Sequence, residues 1–176
     1  MMKKPEIVIG IDPDVSKSGV AQLRMAGREV ELFSISFPEL IDYLQRMADF
    51  QHRTGMTVTL VVEASWLIST NWHTKRADSV RTAARKGKDA GRCHEVGRKI
   101  VECARHYGLE VVEQLPLKKI WKGKDGKITH DELSAFVPGL PSRTNQEERD
   151  AMLLAWNHAG FPIRIKTLKN KRYDVK

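Results

Sequence analysis

The chain has 176 residues, 41% of them hydrophobic, which suits one sizeable buried core and a single domain of ~100–200 residues. Thirty basic residues against 22 acidic ones give a net charge of +8, a balance that favours polyanionic partners through counterion release. No apolar run approaches the ~18–20 residues needed to span a bilayer, and the two cysteines, Cys93 and Cys103, match no zinc spacing. These features predict a cytoplasmic protein with reduced cysteines, no signal peptide and no membrane partner.

Residues 6–11 form a short β-branched apolar run, which predicts a strand buried on both faces and broken by Asp12-Pro13-Asp14. Residues 19–25 and 29–37 suit two further strands, joined by a turn at Ala26-Gly27. Pro38 opens a helix to about Arg53 with Leu40, Ile41, Leu44 and Met47 on one face. A fourth strand over 57–62 ends at Glu63, and a polar stretch over 64–78 reads as an exposed loop. A long helix over 79–107 stops at Gly108, and residues 109–114 make a fifth strand. The lysine- and glycine-rich run over 117–128 reads as a basic loop. Thr129 and Glu132 fit a capping box for a short helix, and a last helix spans about Asn145 to His158. This order predicts one α/β domain over 1–162, a mixed five-stranded sheet flanked by helices, followed by a basic tail over 163–176.

Charge is not spread evenly. Between Lys75 and Arg105 there are ten Lys/Arg, including Arg76, Arg81 and Arg85, and four acids. Such a run is either a solvated helix face or a track for a polyanion.

Two acids stand at the carboxyl ends of predicted buried strands, Asp12 and Glu63, where sites gather in open α/β sheets. Each also has an ordinary explanation: Asp-Pro-Asp is common turn chemistry, and a strand-end glutamate often faces solvent. Glu147 and Asp150 are three residues apart on the last helix, so they share a face and repel unless a cation lies between them. Thr144 and Glu147 also fit a capping box, which would explain Glu147 without any ligand. Asp150 is less easily explained, because aspartate is a poor residue inside a helix. Four acids from three distant segments are hard oxygen ligands of the kind Mg²⁺ takes, and two such ions can drive phosphodiester hydrolysis. Trp66 and Trp72, in a polar stretch with Asn71, His73, Lys75 and Arg76, suit stacking on unpaired bases or packing back on the core. Trp156 reads as core, Trp121 as either, and His130 as surface.

These residues together resemble the RuvC family of Holliday-junction resolvases, within the RNase H-like fold. Ile9-Gly10-Ile11-Asp12-Pro13 resembles the family's opening strand, and Val61-Val62-Glu63 its second acidic strand end. Trp66 falls where the family carries an aromatic side chain that contacts junction bases. Gly97-Arg98 resembles the helix at which its dimer packs, and Pro116 to Lys127 its basic segment. Asp150-Ala151-Met152-Leu153-Leu154-Ala155 resembles its closing helix, with Glu147 at the acidic position before it. The likeness runs over about 7–160. Asp14 stands where the family has glycine, Glu147 where many relatives have aspartate, and the tail after Arg164 has no counterpart.

The resemblance implies a homodimeric, Mg²⁺-dependent endonuclease (Mn²⁺ as an alternative) with two ions held by Asp12, Glu63, Glu147 and Asp150. Metal-activated water would cut four-way DNA junctions, leaving 5′-phosphate and 3′-hydroxyl ends. Trp66, Arg76, Arg81, Arg85, Lys119 and Lys127 would contact DNA. The rivals are a related nuclease for forks, flaps or RNA-containing duplexes, and a branched-DNA-binding protein that does not cut. An actin-like nucleotide-binding domain would need a longer chain and a second glycine loop.

Overall fold

The computed structural model describes residues 5–68 and 77–164. Five strands form one sheet: β1 (Ile7–Asp12), β2 (Ser18–Arg24), β3 (Glu29–Ile35), β4 (Val58–Glu63) and β5 (Glu110–Gln114), in the order β3-β2-β1-β4-β5. The first three pair antiparallel, while β1–β4 and β4–β5 are parallel. This is the mixed five-stranded α/β sheet flanked by helices that the sequence predicts. The helices are α1 (Phe37–Thr54), α2 (Val80–His106), α3 (His130–Ser134) and α4 (Gln146–His158).

Each strand sends alternate residues to opposite faces. Ile7, Ile9 and Ile11 of β1, with Val58, Leu60 and Val62 of β4, enter the core beneath α1 and α2. Val8 of β1 and Val61 of β4 enter a second core beneath α3 and α4. Both cores are apolar, which is why β1 and β4 read as unbroken apolar runs. By the same alternation Gly10 and Asp12 of β1, and Glu63 of β4, belong to the face that α4 covers.

Two glycines set how closely α4 sits. A Cβ at Gly10 would collide with the carbonyl oxygen of Ala151, and one at Gly19 with the backbone of Glu147. Without side chains there, the helix backbone lies directly on β1 and β2. The helix is buried over six successive residues, Ala151 to Trp156, because the sheet covers one side and the 117–141 segment covers the other.

The start of α4 corrects one expectation. Its N-cap is Asn145, whose side chain accepts from Glu148 N at 2.8 Å, while the Glu148 carboxylate accepts from Asn145 N at 3.1 Å. Thr144 and Glu147 therefore do not form the capping box. The Thr144 hydroxyl is engaged by His130 Nδ1 at 2.9 Å and by Arg149 at 3.2 Å. This pairing also draws His130 from the surface into a half-buried position. The box at Thr129 and Glu132 is present as expected.

α2 is about 40 Å long at 1.5 Å per residue. Only Gly97, Ile100, Val101 and Ala104, in its second half, are buried. Its first half projects past the sheet, with Val80 89% exposed. Both cysteines lie in this helix, each half-buried. No helix among the described residues is long and apolar enough to cross a membrane.

Candidate active site

Asp12 and Glu63 end two adjacent parallel strands. Ile11 pairs with Val62 in that register, so the next residue of each strand, Asp12 and Glu63, stand side by side. Across β1, Asp12 pairs with Gly19, over which the Glu147 backbone lies. The close seat of α4 thus carries Glu147, and Asp150 one turn further on, over the two strand ends. All four acids line one pocket with Ser65, Lys119, Trp121 and Lys127. The removal of the capping role from Glu147 leaves its side chain available to that pocket.

The carboxylates differ in their partners. Asp150 is held on both oxygens: Lys127 Nζ donates to Oδ2 at 2.9 Å and Gln146 Nε2 donates to Oδ1 at 2.8 Å. Ser65 Oγ donates to Glu63 Oε1 at 3.3 Å. Asp12 keeps some exposure as a residue, yet its carboxyl lies deep. Burial, then the charges of Glu63, Asp150 and Glu147, push it well above the usual carboxylate range against the pull of Lys127. Burial and Asp150 likewise raise Glu63, against the Ser65 hydrogen bond and the lysines. Burial disfavours the charged form of Lys127, but the hydrogen bond and charge of Asp150 outweigh it, with Asp12 and Glu147 behind, and raise its pKa.

Carboxylates this close cannot all ionise readily without positive charge among them. The donor set is hard oxygen, which suits Mg²⁺ or Mn²⁺, and a cation, the Lys127 ammonium, already stands among the acids. With that ammonium in place, no three Asp, Glu, His or Cys side chains among the described residues converge closely enough to hold one metal ion.

Lys127 is presented by a tightly closed loop. Trp121 N donates to Gly126 O and Gly123 N to Lys127 O, both at 3.0 Å. The buried Glu132 carboxylate clamps the loop by accepting from Lys122 N at 3.1 Å and Thr129 N at 3.1 Å. Burial alone would raise the Glu132 pKa, but these hydrogen bonds, with the Thr129 hydroxyl and the Lys122 charge, hold it below the ordinary range. The Ile128 carbonyl accepts from Gln146 Nε2 at 3.2 Å and Arg149 Nε at 3.0 Å, tying the loop to α4. Trp121 lines the acid pocket and stacks on Phe136 at 6.1 Å, so it both packs and faces the site.

Asp14, which adds a charge beside the site, turns it to local use. Its Oδ1 accepts from Ser16 N at 2.8 Å and from Ser16 Oγ at 3.0 Å, closing the turn after β1.

Trp66 stands apart from the acids. Its Nε1 donates to Glu113 Oε2 at 3.0 Å, and Arg105 bonds the other Glu113 oxygen at 2.8 Å. The indole lies over Gly97, where a Cβ would collide with it, and packs on the α1/α2 core. The indole thus packs back on its own chain while part of its surface stays exposed. The same contact buries Gly97 beneath Trp66 of its own chain.

Arg81 and Arg85 are exposed on the projecting half of α2, and Lys119 is exposed at the pocket rim. Arg76, Trp72 and His73 lie outside the described residues, as does the basic tail from 165. Sequence reasoning missed Gln146, Ser65, Glu132 and the two glycines under α4. Gln146 was detectable, being four residues before Asp150 on one helix face.

No protein family matches the sequence, and no curated protein does. Two solved structures share part of the architecture. Thermus thermophilus RuvC in complex with a Holliday junction substrate is 18% identical, with 87% of this chain and 92% of that one covered and a TM-score of 0.43. A second Thermus thermophilus RuvC structure is 16% identical, with 88% and 97% covered and a TM-score of 0.43. Similarity at that level assigns no activity to this chain.

Proposed function

We propose that this chain is a divalent-metal-dependent endonuclease of branched DNA, with the four-way junction as its substrate and a homodimer as its working form. The observation that carries the reading is the convergence of Asp12, Glu63, Glu147 and Asp150 on one pocket. The order and spacing of these acids along the chain, similar to the RuvC pattern, support the substrate class.

Asp12 and Glu63 would hold the ions from the sheet, Glu147 and Asp150 from α4. When bound, Mg²⁺ or Mn²⁺ would neutralise charge at the scissile phosphate and acidify a water. Gln146 and Ser65 fix the orientation of Asp150 and Glu63. Arg81 and Arg85, with Arg76, would track the backbone leading to the pocket; Lys119 would meet it at the rim and Lys127 deeper, beside the acids. Such contacts position the duplex and do not read its sequence.

A second reading, a branched-DNA-binding protein that does not cut, is favoured by one observation: Lys127 takes the place beside Asp150 that a metal would need. One assay separates the two. The protein is incubated with synthetic four-way junction, fork and linear duplex, in Mg²⁺ or in EDTA. The nuclease reading expects cutting of the junction in Mg²⁺ alone. Retention of all three DNAs uncut under both conditions, with junction binding intact, establishes the second reading.

A further inference from the structure

Lys127 reaches the acids from a loop that is fastened on every side. Glu132 clamps it to α3, and the Ile128 carbonyl ties it to Gln146 and Arg149 of α4. The loop therefore presents the Lys127 stem directly beside Asp150. At 2.9 Å, with Asp150 17% exposed, it is a charge-assisted hydrogen bond in a partly dry pocket. Gln146, a neutral donor, fills one acceptor site on Asp150 Oδ1, and the ion pair seen at this carboxylate is the one Lys127 makes on Oδ2. A divalent ion binds carboxylate oxygen at ~2.0–2.1 Å. An ammonium on the same oxygen would then stand within a few ångströms of it, where two positive charges repel strongly. The fastened loop cannot open readily, but the lysine stem is long and flexible and can swing without it.

We propose that Lys127 is a built-in competitor for the metal: its ammonium holds the cation position at Asp150 Oδ2 until a divalent ion displaces it. The proposal rests on the reading of the acids as metal ligands. It makes metal affinity a property set by one lysine rotamer.

The test is Mn²⁺ titration calorimetry on the full-length, EDTA-stripped protein without DNA, comparing wild type, Lys127→Met and Lys118→Met. Loss of a charge-assisted competitor predicts Mn²⁺ binding about tenfold or more tighter in Lys127→Met. Lys118→Met removes the same charge from the pocket rim and should tighten binding far less. Equal affinity in wild type and Lys127→Met, or equal tightening in both variants, overturns the competition while leaving the metal reading standing. Absence of Mn²⁺ binding in all three overturns both. A crystal structure of the wild type with Mn²⁺ gives a check that no variant has to survive: Lys127 Nζ should lie beyond hydrogen-bond range of Asp150, and an ion bound with that contact intact overturns the proposal.

Discussion

Gly19, the strand partner of Asp12, lies beneath the backbone of Glu147 so closely that no side chain fits between them. One residue thus couples two parts of the acid pocket: the strand end that carries Asp12 and the helix that carries Glu147 and Asp150. Gly10 does the same one turn along α4, beneath Ala151.

Gly19→Ala should therefore act on both fold and site. Inserting a methyl group under a fully packed backbone costs about 1–3 kcal/mol, which for a domain of this size lowers the melting temperature by roughly 2–10 °C. Nuclease activity should fall by more than the stability loss explains, since α4 must lift. Thermal melts beside cleavage rates check this, and a variant with lowered stability but undiminished cleavage would separate Gly19 from the site.

Asp12→Asn should stabilise the metal-free protein at neutral pH. Burial and three neighbouring carboxylates hold the Asp12 pKa above its unfolded value. Ionising such a group opposes folding, so its favourable contribution is complete below the ordinary carboxylate pKa, ~3.9. That contribution declines as pH rises towards the folded pKa. In EDTA, wild type should lose stability relative to Asp12→Asn as pH is raised from about 4 to 8. The gap at neutral pH should be ~2–4 °C in melting temperature for each kcal/mol of relieved repulsion. Saturating Mn²⁺ should reverse the order, raising wild type more than the variant.

Trp66→Ala should destabilise the protein without any DNA present. An indole that covers Gly97 and bonds Glu113 is part of the packing, and its loss costs about 3 kcal/mol or somewhat less, since the ring is only partly buried. A side chain kept only to stack on bases would leave the melting temperature unchanged.

The architecture was legible in the sequence wherever the chain obeyed a simple period. β1 and β4 announced themselves as unbroken β-branched runs because both of their faces are covered, and Asp12 and Glu63 stood out as the charges that end them. The long basic helix and the Thr129–Glu132 box were equally plain. What could not be read was set by contacts between distant segments. Asn145 and Thr144 are both good caps, and only the engagement of Thr144 by His130 and Arg149 decides between them. The docking of Trp66 depends on Gly97, 31 residues away along the chain, and on Glu113 of β5. Lys127 is one of several lysines in its loop, and nothing local distinguishes it from Lys122 or Lys124. Its selection comes from Glu132 and the Ile128 carbonyl, which fix where the loop closes.

Arg81→Ala with Arg85→Ala should weaken binding to four-way junction and to linear duplex by similar factors. Both residues are exposed on the projecting half of α2 and would meet phosphate, not base edges. The salt dependence of binding should flatten by about one unit of slope for each phosphate that is no longer neutralised. Fluorescence anisotropy over a salt series measures both effects, and weakening confined to one DNA would reassign these arginines to shape recognition.

Asp150 offers the sharpest test of whether the four acids form a metal-dependent cutting site. Single-turnover cleavage of a synthetic four-way junction in Mg²⁺ is measured for wild type and Asp150→Asn, alongside junction binding in EDTA. The expected result is cleavage by wild type, a drop of about a hundredfold or more in the variant, and binding that is unchanged or slightly tighter. Cleavage by Asp150→Asn at the wild-type rate would contradict a metal site built on these carboxylates.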